Sequence, residues 1–220
     1  MKIFKEAKIA FAAGILLISS TLAFAQGNDK QSQEILKGVS SKYKTYNTIK
    51  TTFSFTVENP KTKTTEKQSG TLFLKGDKYR LEIAGQEIMC DNKTVWTYLK
   101  ESNEVQINDP NANKDAIAPN NIFTMYEKGF YSRFINETKD NGKTEEIIEL
   151  TPIDKSKHYF KIRIIVDKNE KLVISSKIFD KNGNLSTYTI DKFTANPNLP
   201  EEMFSFNKSK YPGVEVVDLR

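Results

Sequence analysis

Apolar and polar positions alternate with period two along most of this chain, most densely between Ser69 and Tyr98. Gly70-Thr71-Leu72-Phe73-Leu74 reads as extended chain, Lys75-Gly76-Asp77-Lys78 as a turn, and Tyr79-Arg80-Leu81-Glu82-Ile83 as a half-buried strand. Gly85 interrupts the run, Glu87 to Cys90 resumes it, and Asp91-Asn92-Lys93 turns again. Thr94 to Tyr98 is then rich in β-branched and aromatic residues. Connections this short join antiparallel neighbours, so the pattern predicts a meander with one dense apolar face.

Upstream, Ile35, Leu36, Val39 and Tyr43 make a narrow apolar stripe on a helix expected over Lys30 to Tyr46, with Asn28 or Asp29 as its cap. Ile49 to Glu58 switches to period two, with Thr51, Phe53, Phe55 and Val57 on one face; Asn59 to Lys67 reads as a polar loop. Downstream come a short strand at Glu104 to Ile107 and a long Asn-, Asp- and Ala-rich loop with two prolines, Asn108 to Pro119. Loops of that length in a compact domain are often functional. Ile122, Phe123, Met125 and Tyr126 suit one side of a short helix, and Phe130, Tyr131 and Phe134 continue at helical spacing. Period two returns at Thr144–Thr151, Tyr159–Asp167 and Leu172–Asp180. Asn182-Gly183 signals a hairpin into Asn184–Thr194. After a proline-bracketed loop, Pro197–Pro200, and Phe204-Ser205-Phe206, Val214–Asp218 forms a last strand. The fold expected is mainly β with some helix: one strongly curved, incomplete antiparallel barrel of about 11 strands, with an N-terminal helix and a short helical lid.

The chain has 220 residues and opens with Lys2, Lys5 and Lys8, an apolar run from Ile9 to Ile18, and Ala23-Phe24-Ala25. That order describes a cleavable secretory signal peptide over residues 1–25. Its apolar run is too short to span a bilayer core of about 30 Å comfortably. Cleavage after Ala25 would leave Gln26 first, one domain over 26–220, and a net charge of +3 in place of +5. No Cys lies near the cleavage point, so the segment is not a lipoprotein signal. The lone Cys90 rules out an internal disulfide and sits in a strand pattern as a small hydrophobe. The lysines are scattered through turns, without a basic stripe interleaved with exposed aromatics, which argues against nucleic acid. Charges such as Arg163, Lys177 and Asp180 interrupt the strand runs and argue against a transmembrane barrel.

Catalytic chemistry is sparse. His158 is the only histidine, no Gly-x-Ser-x-Gly elbow or glycine-rich phosphate loop occurs, and no Cys or second His stands at metal-ligand spacing. Glu82 and Glu87, and Glu145, Glu146 and Glu149, read as a solvated face. No catalytic residue, metal or cofactor is assigned.

The order of the motifs resembles a known family. Phe53 on the first strand is followed by Gly70-x-Leu72-x-Leu74-Lys75, Tyr79-Arg80, Asp91-x-Lys93-x-Val95-Trp96-x-Tyr98, a loop with Pro119, Phe204-x-Phe206, and Pro212-Gly213-Val214-Glu215-Val216-Val217-Asp218-x-Arg220. Together these resemble the periplasmic outer-membrane lipoprotein carriers of Gram-negative bacteria, the LolA family. The resemblance implies an unclosed barrel with an apolar cavity under helices. It also implies acylated lipoproteins as cargo, an inner-membrane lipoprotein-releasing ABC transporter as donor and an outer-membrane receptor as acceptor, and goes with a soluble periplasmic monomer. Alternation alone does not separate a cavity from a filled core; the resemblance favours the cavity. Shared parity and the family match assign Phe53, Phe55, Leu72, Leu74, Tyr79, Leu81, Ile83, Ile88, Trp96 and Tyr98 to its wall. Ile122, Phe123, Met125 and Tyr126 are assigned to the lid. One departure stands out: family members often carry an Arg before a Pro in the turn after the second strand, where it ties down the lid. Here that turn is Lys75-Gly76-Asp77-Lys78. The alternatives are a periplasmic lipid- or lipoprotein-binding stress sensor and, from another class, a lipid hydrolase.

Overall fold

The computed structural model describes residues 29–112, 119 and 122–220. The expected signal sequence lies outside them, as do Ala118, Asn120 and Asn121 of the lid segment.

Among the described residues one α-helix, α1 (Lys30–Tyr43), precedes twelve strands. These are β1 (Thr48–Asn59), β2 (Thr64–Lys75), β3 (Lys78–Ile83), β4 (Gln86–Cys90), β5 (Val95–Leu99) and β6 (Glu104–Asn108), then β7 (Phe130–Asp140), β8 (Lys143–Pro152), β9 (Tyr159–Asp167), β10 (Leu172–Asp180), β11 (Leu185–Ala195) and β12 (Glu215–Asp218). They form a single sheet in the order β12-β6-β5-β4-β3-β2-β1-β11-β10-β9-β8-β7. The two edges, β12 and β7, do not pair, so the barrel is unclosed, as expected.

Register assigns every side chain to a face, because residues opposite each other in a ladder point the same way. Thr51, Leu72, Leu81, Ile88 and Thr97 form one cross-strand row on the inner face. Phe73, Arg80, Met89, Trp96 and Ile107 form a row on the outer face. The inner face carries the main core, where Ile148, Leu150, Ile162 and Ile164 pack with Ile35, Leu36, Val39 and Tyr43 of α1. A bulge at Asp191 steers β11: Thr52 faces Lys192 but Phe53 faces Ile190. Ile190 and Phe193, three apart, therefore both point inward, which a regular strand forbids.

Asp29 fastens the helix to the sheet. Its carboxylate accepts the amides of Gln31 (2.9 Å) and Ser32 (3.4 Å) and also that of Phe134 on β7. The Ser32 hydroxyl donates to that of Ser132 at 2.8 Å. Burial opposes the charge on Asp29, but the amides of Phe134, Ser32 and Gln31 outweigh it and hold the carboxyl below 3.8. Replacing Asp29 with Ala removes the cap and strands the Phe134 amide, so a loss of about 1–2 kcal/mol is expected in urea unfolding. Because the folded value is the lower one, this stabilisation is complete above the unfolded value near 3.8 and fades as pH falls through the folded value. Asp29→Asn should flatten that acid limb.

Five of the expectations about strands and exposed faces need correction. Phe130 to Phe134 is strand, not helix, because Phe130, Ser132 and Phe134 all face inward opposite Pro152, Leu150 and Ile148. Ser132 is small and polar where the helix approaches, so it hid the two-residue period. The polar stretch Asn59–Lys67 is loop only to Lys63; from Thr64 it pairs with β1. Exposure on both faces left no hydrophobic signal there. The last strand adds parallel to β6, so the sheet is mixed, with twelve strands. Glu146 is not solvated: only 5% exposed, it faces inward opposite Val166, with Lys171 at 3.9 Å. Glu87 points outward as expected but lies under the C-terminal segment.

That segment covers the outer face. Arg80 reaches Glu87 (2.6 Å), Glu82 (2.8 Å) and the carbonyl of Met203 (3.4 Å). The Tyr211 hydroxyl donates to Glu87 at 2.9 Å. Burial works against the Glu87 charge, yet Lys100, Tyr211 and Arg80 hold its carboxyl below the usual range.

Candidate functional site

Between the inner face and the segment that precedes β7 lies an apolar cavity of about 240 Å³. Phe53 and Phe55 of β1, Leu72 of β2, and Leu81 and Ile83 of β3 form one wall. Ile162 of β9, Ile178 of β10, and Tyr188 and Ile190 of β11 form the other. Pro119, Ile122, Phe123, Met125 and Tyr126 close it. Polar atoms in the wall are few. The Thr51 hydroxyl is turned away, donating to the Lys192 carbonyl at 3.0 Å. Burial pushes the Tyr126 phenol up to about 12, partly relieved by the Ser176 hydroxyl, and raises that of Tyr188 too. Both phenols stay neutral at physiological pH, so the lining carries no charge.

The closing segment is held by packing. Phe123 stacks on Tyr43 of α1 at 4.1 Å with the rings 6° apart, and meets Phe193 edge-on at 6.5 Å. In place of the expected short helix, a turn over residues 122–124 leads to a 3-10 turn, Met125–Glu127. Lys44, just past α1, pairs with Glu127 at 3.1 Å. Both partners are partly exposed, which makes such a pair worth at most about 1 kcal/mol. The Lys75-Gly76-Asp77-Lys78 turn does something else: Lys75 and Lys78 each meet Glu201 at 2.6 Å and hold its carboxyl at about 2. It thus ties down the C-terminal segment on the outer face, not the lid.

Of the residues assigned from sequence, Phe53, Phe55, Leu72, Leu81 and Ile83 line the cavity, and so do Ile122, Phe123, Met125 and Tyr126. Leu74, Tyr79 and Ile88 share the inner face but belong to the core beside it. Trp96 and Tyr98 are misplaced. Trp96 lies opposite Met89, which lies opposite Arg80, and Tyr98 packs on Tyr211 at 4.5 Å, all on the outer face. The wall from β9 to β11 lies outside the residues that shared parity and the family match assign. Its alternation was visible in Ile162 and Ile178, but the bulge at Asp191 masked Ile190.

Among the described residues, no group of three or more His, Cys, Asp or Glu is placed to hold a metal ion. Cys90 is free and buried.

Comparison with known proteins agrees with this fold. An uncharacterised conserved protein from Thermus thermophilus superposes with a TM-score of 0.56 at 15% identity, over 86% of this chain and 99% of that one. LprF from Mycobacterium bovis gives 0.51 at 14% identity, over 79% and 98%. A DUF1329 family protein from Desulfovibrio piger gives 0.51 at 12%, over 84% and 99%. At these identities the likeness shows a shared fold. No curated protein matches the sequence. The sequence profile of the outer membrane lipoprotein carrier protein LolA matches residues 44–207, from the end of α1 to the C-terminal segment. With three-quarters of its length in that match, the chain belongs to the LolA family.

Proposed function

We propose that this protein is a periplasmic carrier that holds the acyl chains of lipoproteins in the cavity between its inner face and the lid. It would take them from an inner-membrane ABC transporter and yield them to an outer-membrane receptor, without catalysing a reaction. The observation that carries this reading is an uncharged apolar cavity closed by a segment held mainly through packing. An acyl chain costs about 0.8 kcal/mol per CH₂ exposed to water, so a ~16-carbon tail needs cover worth roughly 12 kcal/mol. Aromatic and aliphatic walls supply cover of that kind. Drug-sized ligands fill about 300–1,000 Å³, more than the present cavity. A long chain therefore enters only as Ile122, Phe123 and Met125 withdraw, and the lid is part of the binding site. The signal sequence over residues 1–25 would deliver the chain to the periplasm.

Mass spectrometry of material co-purified from the periplasm tests the cargo directly: diacylated or triacylated peptides support the carrier, and their absence with an empty cavity counts against it. Quenching locates the site. Bromine on a bound fatty acid is expected to leave Trp96 emission unchanged, since Trp96 is on the outer face. A tryptophan introduced by Phe55→Trp, in a Trp96→Phe background, should be strongly quenched. The reverse pattern would place the chain outside the barrel.

A further inference from the structure

Two large apolar side chains stand about half exposed at one rim of the sheet, Ile153 at 51% and Phe160 at 50%. They bracket the β8–β9 connection, and hydrogen bonds knit that connection to its neighbours. The Ile153 amide donates to the Gly129 carbonyl (2.9 Å), at the end of the lid segment. The Lys181 amide donates to the His158 carbonyl (2.9 Å), and its ammonium to the Lys155 carbonyl (2.6 Å). The Phe160 ring lies 6.2 Å from that of Phe179. Ile162 and Ile178, adjoining these residues on β9 and β10, line the cavity. Lid end, β8–β9 connection and β10–β11 turn thus form one continuous rim beside the cavity.

The charge of that rim is positive. Lys128, Lys155, Lys157 and Lys181 lie in these turns against Asp154 and Asp180. Asp154 accepts the amide and hydroxyl of Ser156 and also attracts Lys157 and Lys181, and Asp180 accepts the amide of Asn182, so four lysines against two carboxylates leave these turns positive. A rim that carries two half-exposed apolar side chains and an excess of lysines matches an anionic lipid surface, where the ring enters the interface and ammonium groups meet phosphates.

We propose that this rim is a membrane-docking face, with Phe160 and Ile153 seated among the headgroups of an anionic bilayer and the cavity beside it. The contact needs no occupied cavity, so it stands apart from the carrier reading. Passage of an acyl chain between bilayer and cavity would then avoid a path through open water.

The test is co-sedimentation of the chain from Gln26, which contains every described element, with vesicles of phosphatidylcholine alone or with part replaced by phosphatidylglycerol. Binding is expected to the anionic vesicles only, and to weaken as salt is raised. Lys155→Gln and Lys157→Gln should each lower the affinity about fivefold. The double variant Ile153→Ser, Phe160→Ser should lower it further at unchanged thermal stability; if that variant unfolds, the lysine pair carries the test. Equal binding to neutral vesicles overturns the proposal, as does no binding at low salt or wild-type binding by the variants. The last two results would leave the rim as a contact for protein instead.

Discussion

Replacing Phe123 with Glu should leave the sheet folded and cut retention of an acyl chain by about ten- to a hundredfold. Phe123 is 4% exposed, stacked on Tyr43 and set into the cavity roof. Burial of such a ring is worth about 1.5–3 kcal/mol, and each 1.4 kcal/mol is a factor of about ten in affinity. A carboxylate in its place meets no cation among the described residues of the cavity lining, so the segment swings out before the charge is buried. The Lys44–Glu127 pair that also fastens the segment lies at the surface and adds little. The measurements are displacement of a fluorescent fatty acid and lipoprotein release from donor membranes, alongside thermal unfolding. Normal retention at normal stability would show that the segment is not a lid. Loss of folding would make Phe123 an ordinary part of the core, a live outcome given that it packs with α1.

How far the sequence speaks for this site depends on which face of each strand can be read. On β1 to β3, Phe53, Phe55, Leu72 and Leu81 alternate with Thr, Ser, Arg and Glu, so period two names the inner face directly. On β5 both parities are large: Val95, Thr97 and Leu99 against Trp96 and Tyr98. There only register decides, and register is set by the preceding turn. Asp91 accepts the amides of Lys93 and Thr94 at 2.9 Å, and Asn92 takes φ +78. That geometry brings Val95 opposite Cys90 and sends Trp96 outward with Met89. A slip of one residue reverses every assignment, so parity alone puts Trp96 and Tyr98 on the wrong face. The helical spacing of Phe130, Tyr131 and Phe134 failed for a related reason: over five residues, periods of 2 and 3.6 are hard to tell apart. The helix itself was legible to within three residues, because its stripe and its Asp29 cap agree.

The second buried layer was illegible for a different reason: a sheet expected to bury one face turns out to bury both. Phe204→Ala should therefore cost about 3–5 kcal/mol, the usual loss for a fully buried phenylalanine. Phe204 is 0% exposed and lies outside the inner cluster, at the end of a 3-10 turn (Glu201–Phe204) in which Arg80 donates to the Met203 carbonyl. Met89 and Val105, equally buried, share the outer face. In a chain of this size each kcal/mol moves the melting temperature about 2–4 °C, so a fall of roughly 6–20 °C is expected. The cavity lies on the opposite face of the sheet, and acyl affinity measured well below the transition should stay at the wild-type value. That combination is the reverse of the Phe123→Glu outcome, in which affinity falls and stability holds. A melting temperature within about 2 °C of wild type, worth less than 1 kcal/mol, would show that the C-terminal segment rests on the barrel without being part of its core. Arg80, Glu87 and Tyr211 would then form a surface cluster, not a clamp.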